Sequence, residues 1–288
     1  MSGIEIPIFG PQHGVAAVRA IGIHPNFKTN LELNRTWSYP LGGLTPSRWE
    51  LEELKHSLGY TRLEKDVSVK VMIRPRGPPQ SGEDFLYSDA EFETMKSALL
   101  MFKESSLLNR ESNDGFVFGI LRRSSPESQR LVVDRERTAE LRRLAGPDFN
   151  CVFHRAFDLV VSTAGDDQGW KDELAWLEAQ KMGVLTSGGL GNAKDNASVL
   201  GKILNETART GQQLVVGGGV RSQTLESLLD GMGGLARIYA LTSFKEVGMV
   251  LHSSCVRDVN GNMEFDAEEA ARLRVTLSEL CRTKEMAD

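Results

Sequence analysis

A chain of 288 residues, 40% hydrophobic and 25% charged, has the composition of an ordinary globular protein with one sizeable core. Its net charge of −5 leaves no basic footprint for nucleic acid or an anionic membrane, and no window approaches the roughly 18 apolar residues of a membrane span. MSGIEIPIFG lacks the pattern of a signal peptide, and Cys151, Cys255 and Cys281 stand far apart without disulfide or zinc spacing, so a reducing, cytoplasmic setting is expected.

Eight β-rich runs alternate with amphipathic ones along the chain. IEIPIF from Ile4 precedes a helix expected over Gly14 to Ile21, and NLELN from Asn30 precedes one over Pro46 to Leu58. VSVKVMIR from Val67 leads to a helix over Asp89 to Leu108, and GFVFGIL from Gly115 to one over Asp134 to Leu144. CVFHRAF from Cys151 and GVLTS from Gly183 are paired with helices over Trp170 to Lys181 and Asn196 to Thr207. QLVVGG from Gln213 and MVLHSS from Met249 come before Gln223 to Leu229 and Ala267 to Leu280. Thr45 with Pro46 marks a helix start, and Ser88 with Glu91 three residues on reads as a capping box. Strands separated by helices run parallel, and eight such units close into a (β/α)₈ TIM barrel: a single α/β domain over residues 1–288. Insertions are expected near 22–29, 77–83, 162–169 and 231–247.

Period-two alternation assigns the barrel faces. Val67, Val69, Val71 and Ile73 face the helices, which turns Lys70 and Arg74 inward; the same parity aims Glu5 and Glu32 into the lumen. Buried charge of this density needs partners, either within the set or on a ligand. At the C-terminal strand ends, where barrel active sites are built, stand His154, Arg155 and Asp158, then Thr186, Ser187 and Gly188. Gly217 and Gly218 with Arg221 ahead of a helix, and finally His252, complete that rim. Glycine-rich turns before a helix suit an anion. Pro75 ends the third strand so that Arg76 stands at the rim, and DFLY brings Asp84 and Tyr87 back over the mouth.

These residues support a cofactor-independent enzyme of lyase, isomerase or hydrolase type acting on a small anionic substrate. In that reading Glu32, Arg74, Asp84, His154 and Asp158 are catalytic, and His154 is a candidate proton carrier. Glu5, Arg76, Tyr87, Arg155, Thr186, Ser187, Gly188, Gly217, Gly218, Arg221 and His252 bind the anion. No metal ligands are assigned and no cofactor is required. The partner is a small anionic molecule, with neither nucleic acid nor membrane; a non-catalytic ligand-binding barrel or homo-oligomer would use the same pocket.

The runs GGLTPS at Gly42, VMIRPRG at Val71, DFLYSDAEFETMK at Asp84, FHRAFD at Phe153, VLTSGG at Val184, GGGVR at Gly217 and HSS at His252 resemble the CutC copper homeostasis family over about residues 4–257. The resemblance implies a (β/α)₈ barrel, a cytoplasmic location, a role in copper homeostasis and Cu(I) as the metal. It also implies cysteines in the first strand and at the end of the second, where this chain has Pro7 and Asn34, and in DFCYSD, where it has Leu86. Loss of those soft thiolates argues against tight Cu(I) binding at the usual place.

Overall fold

The structure is a computed structural model that describes residues 3–22, 28–60, 67–234, 236 and 249–285, with side chains described to residue 280. In chain order the elements are β1 (Gly3–Phe9), α1 (Pro11–Ile21), β2 (Lys28–Asn34), α2 (Arg48–Tyr60), β3 (Val67–Met72), α3 (Asp89–Glu104) and β4 (Gly115–Phe118). Then come β5 (Leu121–Arg123), β6 (Leu131–Val133), α4 (Arg135–Ala145), β7 (Asn150–Phe153), α5 (Ala156–Thr163), α6 (Asp167–Ala179) and β8 (Gly183–Thr186). The chain continues through α7 (Ala197–Thr210), β9 (Leu214–Val216), α8 (Ser222–Met232), β10 (Met249–His252), β11 (Val256–Val259), β12 (Asn262–Phe265) and α9 (Ala267–Glu285).

Eight parallel strands close in the order β1-β10-β9-β8-β7-β4-β3-β2, so the single-domain (β/α)₈ barrel expected from the alternation is the fold. Two cores follow from strand parity. Ile4, Ile6, Ile8, Leu31, Leu33, Val67, Val69, Val71 and Ile73 pack outward under the helices. Inside, Met72, Val117, Val152, Leu185, Val215 and Val250, each from a different strand, form a separate apolar cluster that fills one side of the lumen. The other side, at β1, β2, β3 and β10, carries the buried polar residues: Glu32 lies opposite Lys70 in the β2–β3 ladder and Glu5 opposite His252 in the β1–β10 ladder.

Helix ends follow local chemistry. Ser88 Oγ accepts from the Glu91 N–H while Glu91 Oε2 accepts from the Ser88 N–H, and α3 then buries Phe92, Met95, Leu99 and Phe102 at helical spacing. This helix stops at Glu104, short of the expected Leu108, where Ser105 Oγ turns back onto the Phe102 carbonyl and Ser106 takes φ +60°.

Three features depart from the sequence reading. β7 ends at Phe153, and the stretch expected to be irregular near 162–169 is the end of α5, a short link and the start of α6, capped by Asp166. Two antiparallel hairpins, β5–β6 and β11–β12, lie outside the barrel. Of the expected insertions at 22–29 and 231–247, residues 23–27, 235 and 237–247 lie outside the described residues. Among the described residues no helix is long and apolar enough to cross a membrane.

Candidate functional site

The polar side of the lumen is a connected network. Lys70 Nζ donates to Glu5 Oε2 at 2.6 Å, and His252 Nδ1 donates to Glu5 Oε1 at 2.9 Å. Burial alone would raise the Glu5 carboxyl, but the Lys70 ammonium and the His252 ring hold it down at about 2. The same contacts work in reverse on His252: burial would lower it, and the Glu5 hydrogen bond with the charges of Glu32 and Glu5 raises it. Glu32 is raised by burial, with His252 opposing and Glu5 adding to the rise. Its Oε1 accepts from Asn34 Nδ2 at 3.0 Å, whereas Oε2 is buried without a partner among the described residues.

Arg74 forms the next layer up. Its Nη1 donates to the carbonyls of Leu41 (2.6 Å) and Gly43 (3.0 Å), and its Nη2 donates to Asp84 Oδ2 at 2.6 Å. Gly43 is needed for this turn, because it has φ +86° and a Cβ there would lie 2.2 Å from Asn34 Oδ1. Asp84 Oδ1 accepts from the Phe85 N–H at 2.8 Å, and Phe85 adopts φ +67°, a conformation that a bulky residue rarely takes. The result places the Phe85 ring 5.0 Å from the Arg74 guanidinium and 4.8 Å from the His154 ring.

Above these layers opens a cavity of about 550 Å³ at the C-terminal ends of the strands. Of the residues picked out from sequence, Glu32, Arg74, His154, Arg155, Asp158, Thr186, Ser187, Gly217, Gly218, Arg221 and His252 line it. Five do not. Glu5 lies beneath the lining, held by Lys70 and His252, while Asp84 acts on the cavity through Arg74. Arg76 is turned away to Glu91 (2.5 Å) and the Leu86 carbonyl (2.7 Å), with its guanidinium over the Tyr87 ring. The Tyr87 hydroxyl is enclosed, and burial pushes it up to about 12. Gly188 serves packing: its N–H donates to Thr186 Oγ1, and a Cβ there would meet Leu200.

Asp158, in the first turn of α5, accepts from Thr186 Oγ1 at 2.6 Å and from the Ser187 N–H at 2.7 Å, which ties the β7 and β8 strand ends together. Burial raises its carboxyl against those hydrogen bonds. Arg221 donates to Ser253 Oγ at 3.0 Å and Ser254 Oγ at 3.3 Å. The N-terminus of α8 behind it is already taken: Glu269 accepts from the Ser222 N–H (2.7 Å) and hydroxyl (2.9 Å). The positive charge at this rim therefore comes from the guanidiniums of Arg155 and Arg221 rather than from the helix terminus. Sequence reasoning missed Phe85, Tyr39 and Asn192 in the lining; Phe85 carries no signal until its backbone conformation is known.

Donors for a metal divide in two. Ligand atoms of Glu5, Glu32 and His252 lie within 4.8 Å of one another, a spacing that could hold a cation, but the Lys70 ammonium on Glu5 already supplies positive charge there. Thiolates are absent from the lining among the described residues. Cys151 belongs to the helix-facing core and Cys255 is fully buried beside Ser253; burial pushes the two thiols up to about 12 and about 11. Pro7 lines the cavity and Asn34 holds Glu32, so neither expected cysteine position offers a sulfur, and the residues present do not fit a thiolate Cu(I) centre.

The model of the CutC family matches residues 28–242. The chain belongs to the CutC family. It is similar to the human copper homeostasis protein cutC homolog, 31% identical over 215 residues covering 75% of this chain and 67% of the human one. To the family protein CutC of Proteus mirabilis it is 32% identical over 243 residues, covering 83% and 79% of the two chains. The fold matches the CutC crystal structure from Streptococcus agalactiae with a TM-score of 0.62 at 22% identity, over 88% of this chain and 98% of that one.

Proposed function

We propose that this CutC-family barrel serves copper homeostasis in the cytoplasm, as its relatives are named for, by binding a small anionic molecule at the barrel mouth rather than by thiolate capture of Cu(I). The observation that carries this reading is the lining of the 550 Å³ cavity, which joins Arg74, Arg155 and Arg221 to Glu32, His154 and His252 without a cysteine among the described residues. Guanidiniums converging on one space favour carboxylate or phosphoryl groups. The test pairs anaerobic Cu(I) titration with thermal-shift titration of inorganic phosphate and acetate. Anion stabilisation that is lost in Arg155→Ala and Arg221→Ala, with no Cu(I) affinity beyond a variant lacking all three cysteines, is the expected result. Tight Cu(I) binding abolished by removing the cysteines, with no anion effect, refutes it.

A second reading, a cofactor-independent lyase, isomerase or hydrolase, is favoured by Glu32. One carboxyl oxygen is held by Asn34 and the other is unpartnered, on a group that lines the cavity and whose proton affinity is raised. Loss of turnover in Glu32→Gln with ligand affinity retained would separate catalysis from binding.

A further inference from the structure

The His154 ring is fixed on three sides. Its Nδ1 accepts the Ala156 N–H at 3.3 Å. The Phe85 ring lies 4.8 Å away, and Gly119 leaves room that any side chain would close, since a Cβ there would sit 2.5 Å from Nδ1 and 2.7 Å from Cε1. With Nδ1 accepting and Cε1 against Gly119, the ring edge left for the cavity it lines is Nε2–Cδ2. A neutral imidazole whose Nδ1 accepts must carry its proton on Nε2, and that nitrogen is buried with no partner among the described residues. Buried donors are nearly always paired, so an orphan facing a ligand cavity marks a place for an acceptor.

We propose that His154 is an N–H donor, through Nε2, to an oxygen of the bound molecule, a carbonyl, carboxylate or phosphoryl oxygen, and not a proton carrier. Burial, with the Arg74 and Arg155 charges beside it, holds the ring well below the usual histidine range, so it stays uncharged at neutral pH. Arg74 and Arg155 both stand beside Gly42, where a Cβ would lie 3.0 Å from Arg74 Nη1 and 3.0 Å from Arg155 Nη2, and both line the same cavity as His154. Arg74 is already paired with Asp84, so Arg155 carries the ligand's charge while His154 fixes one acceptor atom, and the subsite excludes a group that can only donate.

This inference rests on the anion reading above, and its test separates the two. Two-bond ¹H–¹⁵N correlation spectra of the full chain are recorded with ¹⁵N-histidine across pH 5.5 to 8, alone and with inorganic phosphate. The expected result is a single uncharged Nε2–H form of His154 throughout, with its Nε2 shifted by phosphate. His154→Phe, which keeps the ring contact, is expected to weaken phosphate about tenfold, whereas His154→Gln, which restores an N–H, recovers most of it. A titration midpoint near 6.5, a proton on Nδ1, or equal phosphate affinity in His154→Phe overturns the proposal. If phosphate fails to bind the wild-type chain, the anion reading falls and the contact with it, while the tautomer result stands separately.

Discussion

Replacing Lys70 by methionine keeps the side-chain volume near the floor of the barrel and removes its charge. Glu5 is then left buried with His252 as its one remaining charged partner among the described residues. Two routes give the magnitude. Removing one member of a buried ion pair costs about 3–5 kcal/mol. Independently, the drop of the Glu5 carboxyl from 4.5 to about 2 corresponds to about 3 kcal/mol of stabilisation, present above pH 4.5 and lost as pH falls through 2. Lys70→Met and Glu5→Gln are each expected to lower unfolding free energy by about 3 kcal/mol. The double variant strands neither charge and should lose much less than the two singles together, a coupling of roughly 2–3 kcal/mol. The assay is urea unfolding at pH 7 with EDTA present, followed by tryptophan fluorescence, so that no cation replaces the ammonium. Single losses below about 1 kcal/mol, or additive losses in the double variant, would refute the claim that this pair is desolvated and mutually dependent.

Asp158→Ala strands the Thr186 hydroxyl and the Ser187 N–H, and is expected to cost about 2–3 kcal/mol in the same assay, with Asp158→Asn costing less because an acceptor remains. An equal loss in both variants would show that the carboxylate's charge, not its geometry, holds the β8 end. His13 accepts the Phe9 N–H through Nδ1, and burial lowers it from 6.5 to about 4. The unfolded chain therefore binds that proton first, so stability falls as pH drops from 6.5 towards 4, by up to about 3 kcal/mol from this residue. His13→Gln should flatten the midpoint-versus-pH curve in that window; an unchanged slope would place the acid sensitivity elsewhere.

The barrel was legible because its strands are short β-branched runs whose alternation survives burial, and the same period of two turned Glu5, Glu32, Lys70 and Arg74 inward before any coordinates. What stayed hidden was non-local or too short. α5 is eight residues long and carries DLVVST, which reads as β-branched strand material yet buries Ala156, Phe157 and Val160 as a helix. The occupied N-terminus of α8 depends on Glu269, 47 residues away from Ser222, which no local pattern reports. Arg76, two residues from Arg74, was expected to stand at the rim and bind the anion, but the chain after Pro75 sends it to Glu91, so Arg74 lines the cavity and Arg76 braces the helix that follows. The Phe85 backbone lies outside sequence reasoning altogether, since DFLY carries no glycine to announce a left-handed turn.

The pairing at the barrel floor has an electrical consequence at the mouth. Glu5 is paired with Lys70 and His252, and Arg74 with Asp84, so the charges of these layers are largely matched among themselves. What an approaching solute meets is set by Arg155 and Arg221 with Asp158 alone against them. On a chain of net charge −5, this opening carries two arginines against one aspartate at its rim. Low-dielectric walls focus such a field, and salt screens it within about 10 Å, so capture of a small anion should be steered to this end of the barrel and slow as ionic strength rises.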